Sequence, residues 1–375
     1  MDTTSFNFPT DTRVGPGVIS QLNETLLALG IQRPLVVTDS GLLATDAFKK
    51  LAGALLPGEP DRDWFLHSDV QPNPTETNTR GAAELALAKG CDGVVGLGGG
   101  SALDAAKVCR ILIKQPQLKL ADYDWEADWS GLLPFIAVPT TSGSSSEVTA
   151  GAAVWDWEAK RSINLIHPGM FPDVAIVDPE LAMSMPKELA ALTGIDAFTS
   201  AFESYWSKEA EPVSDALDLQ VIRSFANHLE KSCNVGDLDS RSECSLAATM
   251  SGVAYSNSHP NVCHAVGSPL TLFWEVDHGQ AVGVTLPAML RWTAPAIAPK
   301  LPALWDALGV SGLEEAVARI AQIMENCGLK TSLSSLGITA GGMDTLVEHT
   351  RWDRVSALPT PLGHDDLRRV LQDLM

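Results

Sequence analysis

The chain of 375 residues is poor in positive charge, poor in charged residues altogether, and holds no long apolar run. Lys and Arg number 26 against 46 Asp and Glu, a formal net charge of −20 with histidine neutral. Proteins that track nucleic-acid phosphates rely on Lys and Arg, so this balance argues against a nucleic-acid partner. It equally disfavours a peripheral protein held on anionic lipid. No apolar run approaches the ~20 residues of a membrane-spanning helix, which argues against a membrane protein. The start, MDTTSFNFPTDTR, lacks the basic-then-apolar pattern of a signal peptide. The six cysteines (Cys91, Cys109, Cys233, Cys244, Cys263 and Cys327) contain no C-x-x-C pair and read as reduced, buried thiols. Internal repeats, low-complexity tracts and polar linkers are also missing. Together these absences lead to the expectation of a cytoplasmic protein.

What is present is apolar bulk. Hydrophobic residues make up 45% of the chain and charged residues only 19%, which excludes a disordered protein and predicts a large core. The length exceeds what one core usually holds, so two domains are expected. Short apolar runs at Pro34–Thr38, Gly93–Leu97, Pro134–Val138 and Val174–Val177, with a weaker one at Trp64–Leu66, read as strands buried on both faces. Helical patterns alternate with them near Ile19–Leu29, Leu42–Leu55, Thr75–Lys89 and Leu103–Ile113. Such alternation predicts an α/β domain with a doubly wound, mostly parallel sheet. From about Pro186 onward the segments are Ala- and Leu-rich without strand-like runs, which predicts an all-α second domain. The expected division is residues 1–182 and 183–375, with a small-molecule site in the cleft between them.

Chemistry-bearing residues concentrate in two places. Gly98, Gly99, Gly100 and Ser101 follow the apolar run GVVGL and open a helix. Glycines let the backbone turn tightly and approach a ligand, and a helix start offers N–H groups to a pyrophosphate. A mere tight strand–helix turn is the plain alternative, and three consecutive glycines favour the cradle. Ser101 with Asp104 three residues on also reads as a capping-box-like pair. A second strand-end loop, Pro139 to Glu147, carries six hydroxyl side chains, either a donor-rich rim or simply a solvated loop. Asp39, ending PLVVTD, is a candidate to accept from an adenosine ribose and repel a 2′-phosphate, or an ordinary strand-end Asp. In the second half, Asp196, Ser200 and Glu203 share a helix face by i, i+4 and i+7 spacing. With His264 and His278 they suggest a divalent-ion site of one carboxylate and two imidazoles, or satisfied core histidines. His259 is a spare candidate.

These strings, in this order, resemble the iron-containing alcohol dehydrogenases over essentially the whole chain. The matches are Gly98-Gly99-Gly100-Ser101 with Asp104 and Lys107, then Pro139-Thr140-Thr141 through Ser146-Glu147-Val148-Thr149. Ile176-Val177-Asp178-Pro179, Thr193-Gly194-Ile195-Asp196-Ala197, His264 and His278-Gly279 complete them. The resemblance implies a dehydroquinate synthase-like architecture and a nicotinamide-dependent dehydrogenase, with relatives that are often dimers or larger. By it, Gly98, Gly99, Gly100, Ser101 and Asp104 belong to the cofactor site, where the glycines and Ser101 would hold the pyrophosphate. Thr140, Thr141 and Ser144 would line the cofactor cleft, Lys160 would reach the nicotinamide ribose, and Asp39 would favour NAD over NADP. The metal positions map onto Asp196, His264 and His278, with Ser200 where the family usually has histidine. Ser268 likewise replaces a histidine, and Ser145 stands where glycine is common. Three ligands suffice in glycerol dehydrogenases, whereas maleylacetate reductases work without metal. Within the family, the strings Ala153–Asp156, Phe202–Ser207 and Ser268–Thr271 resemble the reductases of phosphonoacetaldehyde and similar small anionic aldehydes.

The expectation is NAD(H)-dependent hydride transfer between a small primary alcohol and its aldehyde. Fe²⁺ or Zn²⁺ on Asp196, His264 and His278 would polarise the substrate oxygen. A metal-independent NAD(P)H reductase of the same fold, or a non-catalytic dinucleotide-binding protein, are the alternatives.

Overall fold

The computed structural model describes residues 5–55 and 63–375; the first four residues of the start inspected for a leader lie outside them. Two compact units divide the chain, Phe8–Met185 and Pro186–Met375, and residues 5–7 belong with the second. Asn7 is tied there by a reciprocal pair of hydrogen bonds with Asn257 (2.8 and 3.2 Å).

The first unit is a six-stranded parallel sheet in the order β1-β8-β5-β4-β2-β3. Its strands are β1 (Asp11–Val14), β2 (Pro34–Val37), β3 (Phe65–His67), β4 (Gly93–Gly98), β5 (Phe135–Pro139) and β8 (Val174–Val177). A separate antiparallel hairpin pairs β6 (Gly151–Asp156) with β7 (Arg161–Ile166). Helices α1 (Leu22–Ala28), α2 (Asp46–Ala54), α3 (Glu76–Lys89) and α4 (Gly100–Lys114) cover the sheet. Alternation along each strand explains the continuous apolar runs. Leu35, Val37, Val94, Phe135 and Ala137 pack on one face with α3 and α4. Val36, Val95, Leu97, Ile136, Val138 and Ile176 pack on the other with α1 and α2. A strand buried on both faces has no polar side to show. β1 and the hairpin escape the sequence reading because they are only half-covered: residues such as Asp11, Thr12 and Arg13 break the apolar run.

The second unit is helical, with no strand among the described residues. Its long helices are α5 (Lys187–Trp206), α6 (Pro212–Asn234) and α7 (Leu238–Ser258), followed by α8 (Val262–Trp274) and α9 (His278–Gly283). Next come α10 (Leu286–Thr293), α11 (Leu301–Leu308), α12 (Leu313–Asn326), α13 (Met343–Glu348), α14 (Trp352–Val355) and α15 (His364–Gln372). α9 and α10 are separate helices, divided at Val284 and Thr285. α8 carries an internal Pro269, which obscures its helical pattern in the sequence. From Ala197 to Trp206 every residue of α5 is buried, so neighbours enclose that half of the helix on all sides. Phe198 makes edge contacts with Phe202 (5.1 Å) and Phe225 (6.3 Å) in its core.

Glycines set how closely the central helices approach. A Cβ on Gly279 would lie 1.9 Å from the Leu192 carbonyl oxygen, and one on Gly283 2.7 Å from Ile195 Cγ1. These two bring α9 onto the α5 backbone. Gly267 does the same for α8 against α9, where a Cβ would meet Val282 at 2.7 Å. Three helices are thereby held closely together, and each contributes one residue to the site described next.

Candidate active site

In the helical unit, Asp196 from α5, His264 from α8 and His278 from the start of α9 converge. One ligand-capable atom from each lies within 4.8 Å of the other two. His264 Nε2 is 3.3 Å and His278 Nε2 4.0 Å from Asp196 Oδ1. That oxygen is sealed from solvent yet accepts no hydrogen bond among the described residues. A buried carboxylate oxygen left in that state is costly unless a cation or donor completes it. Two nitrogens and one oxygen aimed at a common point therefore fit a divalent ion.

Behind His264 stands Glu203, fully buried on α5. Its carboxylate binds His264 Nδ1 with one oxygen and accepts from the Cys263 backbone N–H with the other. A partner on Nδ1 fixes the ring orientation and turns Nε2 toward Asp196. Glu203 is held in turn by its backbone, since its carbonyl accepts from Asn261 Nδ2 at 2.9 Å. Asn261 Oδ1 also accepts from Trp206 Nε1 at 2.8 Å. Burial opposes charge on His264, but the adjoining Glu203 and Asp196 carboxylates outweigh it and raise the group to about 9. His278 moves the other way: burial pushes it down, the Asp196 carboxylate opposes that, and His264 and Arg354 add to the lowering. Burial pushes Asp196 upward, yet the two histidines prevail and its carboxyl sits below the ordinary value.

Ser200 is buried one helical turn beyond Asp196. Ser268 donates back to the His264 carbonyl at 3.0 Å, an intrahelical bond. His259 is elsewhere, paired at the surface with Glu209 at 2.7 Å.

In the sheet unit the sequence candidates gather at the carboxyl ends of three adjacent strands. Asp39 follows β2, the glycine turn closes β4, and Thr140, Thr141 and Ser144 follow β5. The winding of the sheet reverses between β2 and β4, where open α/β sheets bind ligands. Asp39 Oδ2 lies 3.6 Å from where a Cβ on Gly98 would stand. Gly98 has φ +147° and would clash with Ala102 at 2.7 Å if it bore a Cβ. A Cβ on Gly99 would come within 3.2 Å of Thr141 Oγ1, and one on Gly100 within 2.6 Å of Ser144 Oγ. The glycines thus let the hydroxyl loop lie directly on the turn. Thr140 N–H completes the joint by donating to Gly98 O at 3.0 Å.

Two local expectations need correction. The helix is not capped by Ser101: α4 starts at Gly100, and Gly99, its N-cap residue, has no side chain to cap it. Ser101 Oγ instead accepts from Asn73 N at 3.1 Å. Asp104 does not complete a capping box either, because it is turned inward, accepting from Ser146 Oγ (2.7 Å) and Ala153 N (2.8 Å). It joins α4 to the serine loop and β6. The helix start, free of a side-chain cap, fits an anionic group such as a pyrophosphate. Lys107, wholly buried one turn on, donates to Gly151 O (2.8 Å) and Thr149 Oγ1 (3.2 Å). Ser145 holds φ +54°, a left-handed conformation that favours the glycine common in the family. Lys160 stands exposed in the β6–β7 turn with φ +48°.

Sequence reasoning placed Glu203 on the correct helix face but missed its pairing with His264, a contact across 61 residues. A carboxylate seven residues beyond Asp196 on the same face was the available signal. It also missed the spacing role of Gly267, Gly279 and Gly283, which nothing in their local sequence announces.

Comparison with known proteins agrees with this construction. Residues 9–179 match the iron-containing alcohol dehydrogenase family and residues 190–375 its C-terminal family. A 1,3-propanediol dehydrogenase of Klebsiella pneumoniae is 32% identical over 345 residues, which span 89% of each chain. The solved structure of a 1,3-propanediol oxidoreductase superposes with a TM-score of 0.93 at 28% identity, covering both chains in full. A sulfoacetaldehyde reductase from Bifidobacterium kashiwanohense, solved with NAD⁺, gives 0.92 at 26% identity over 100% of this chain and 99% of that one. The chain belongs to the iron-containing alcohol dehydrogenases. It is an NAD-dependent enzyme of that type, a family whose chemistry draws on NAD and on iron or another divalent metal.

Proposed function

We propose that the protein interconverts a small primary alcohol and its aldehyde with NAD(H), using a divalent ion held by Asp196, His264 and His278. The observation that carries this reading is the sealed Asp196 Oδ1, without a hydrogen bond and facing two imidazole nitrogens. An ion there would supply Lewis-acid polarisation of the substrate oxygen, and NAD the hydride acceptor. The protein's own work is positional. Glu203 keeps His264 Nε2 turned inward, and Gly279 seats His278 beside α5. In the sheet unit, Gly98 to Ser101 hold the cofactor pyrophosphate, with Asp104 behind them fixing the serine loop. Thr140, Thr141 and Ser144 line the cofactor site, Asp39 takes the adenosine ribose, and Lys160 serves the nicotinamide side. With Ser268 in place of the family's histidine and donating to the His264 carbonyl, the alcohol proton would pass through the ribose, water or Ser200.

The division of labour follows residues 1–182 for cofactor and 183–375 for metal and substrate. A homodimer in the cytoplasm belongs to the same proposal, and light scattering reads the assembly state. No helix among the described residues is long and apolar enough to cross a membrane. Metal analysis of gently purified protein, then chelation and add-back of Fe²⁺ or Zn²⁺ during NADH turnover with short aldehydes, tests the whole. Activity that tracks the restored metal is expected; full activity after complete chelation would overturn the metal's role.

A further inference from the structure

Of the arginines among the described residues, Arg354 is the one whose side chain has no bonded partner. Arg351, three residues earlier, grips Asp353 with two hydrogen bonds (3.0 and 2.8 Å). Arg223 holds Asp306, Arg291 holds Glu314, Arg319 holds Glu230, and Arg110 donates to the Leu133 carbonyl. The Arg354 guanidinium forms no hydrogen bond or ion pair with any described residue, although it is half-buried on α14. Its nitrogens are not sealed in the core as Arg110 Nη1 is; solvent reaches them. A guanidinium presents several donors in a fixed planar fork, and one left half-buried with no acceptor is a receptor for an anion.

Its position makes that anion relevant to the reaction. The Arg351 backbone N–H donates to Ala265 O at 3.2 Å, which pins the start of α14 to α8 immediately after His264. Arg354 lies close enough to His278 for its charge to disfavour the imidazolium, and close enough to Glu203 to feel that carboxylate. Neither nearby acid neutralises it by contact. Asp353 is occupied by Arg351, and Glu203 by His264 and the Cys263 N–H.

We propose that Arg354 is a specificity residue of this site. It receives the anionic end of a short aldehyde or alcohol (a sulfonate, phosphonate or carboxylate) whose reacting carbon lies at Asp196, His264 and His278. The inference rests on the alcohol–aldehyde reading above and names its substrate class. Sulfonate, phosphonate and carboxylate share the paired oxygens that match the guanidinium fork. The overall charge of −20 opposes anions at long range, but that field is screened beyond about 8 Å at physiological salt. Recognition of the anion therefore requires a short-range cation, and Arg354 supplies one.

The metal-loaded enzyme with NADH is offered sulfoacetaldehyde, phosphonoacetaldehyde, succinic semialdehyde and neutral propionaldehyde. At least one anionic aldehyde should exceed propionaldehyde in kcat/KM by about tenfold or more. Arg354→Gln should raise KM for that substrate about 10- to 100-fold and leave propionaldehyde within about twofold. Arg354→Lys, which keeps the charge but loses the fork, should recover part of the loss. A wild-type preference for the neutral aldehyde, or an equal loss for both classes in Arg354→Gln, overturns the proposal. Calorimetric titration with 2-hydroxyethanesulfonate, 2-hydroxyethylphosphonate and 4-hydroxybutyrate reads the anion contact without turnover. Binding that weakens in Arg354→Gln upholds the anion site even if no aldehyde is reduced, in which case the oxidoreductase reading fails by itself. Absent or unchanged binding of all three overturns the anion site.

Discussion

The two units place charge in the interior in opposite ways. In the sheet unit, two buried ions, Asp104 and Lys107, close on protein partners. Asp104 is satisfied by Ser146 and Ala153, and Lys107 by Thr149 and Gly151. Such groups tie a helix to a loop and a hairpin. In the helical unit the outer partner is satisfied while the inner atoms are left open. Glu203 is fully engaged, but Asp196 Oδ1 accepts nothing. Asp104 and Lys107 thereby hold the fold, whereas Asp196 Oδ1, facing two imidazole nitrogens, is open to a ligand.

Replacing His264 by Ala strikes that comparison hardest. Two donors remain, so bound metal should fall below detection in elemental analysis and kcat should drop on the order of 10³-fold, and the melting temperature should fall as well because the buried Glu203 carboxylate loses its partner. Retained stoichiometric metal would refute the ligand assignment. Glu203→Gln is a subtler break, because the amide keeps the shape but changes the charge and the proton on the His264 contact. Metal affinity, read by chelator competition, should fall about 10- to 100-fold. An affinity within twofold of wild type would make Glu203 a packing residue only.

The sheet unit offers a contrasting test. A methyl on Gly100 must displace Ser144, so Gly100→Ala should weaken NADH binding about tenfold by fluorescence titration. If the glycine serves the loop contact, adding Ser144→Gly restores part of the affinity. If the cofactor itself needs the space, the double variant stays as weak as the single one. The smallest effect concerns pH. Burial pushes the Lys107 ammonium down to about 8, while Asp104 and Glu147 pull it back up. Between that value and the ordinary 10.5, the unfolded chain binds a proton that the folded chain has shed. Lys107 therefore makes stability rise with pH across this window. Urea midpoints measured at pH 8 and pH 10 should show a shallower rise, or a steeper fall, in Lys107→Met than in wild type.

How much of this was legible depends on whether the deciding contacts are local. The strands of β2, β4, β5 and β8 were readable because burial on both faces leaves only apolar residues. β1 and the β6–β7 hairpin were not, since half-covered strands mix polar and apolar positions as many loops do. The glycine turn could be recognised from its place between strand and helix. Its partnership with Ser144 could not, because Gly100 and Ser144 meet only once the crossover through α4 has laid β5 beside β4. Asp104 shows the same limit from the other side: its spacing from Ser101 suggested a cap, and tertiary hydrogen bonds to Ser146 and Ala153 took it elsewhere.

By itself the sequence determined the alternation of buried strands with helices, the all-helical second half and the residue types of the site. Those properties follow from periodicity and from chemistry carried within a few residues. Only the tertiary structure decided which polar groups are completed and which are left open. It paired Glu203 with His264, and among the described residues left Asp196 Oδ1 without a hydrogen bond and Arg354 without an acceptor. Satisfaction of a buried polar group is a property of its neighbours in space, and those neighbours are distant in the chain.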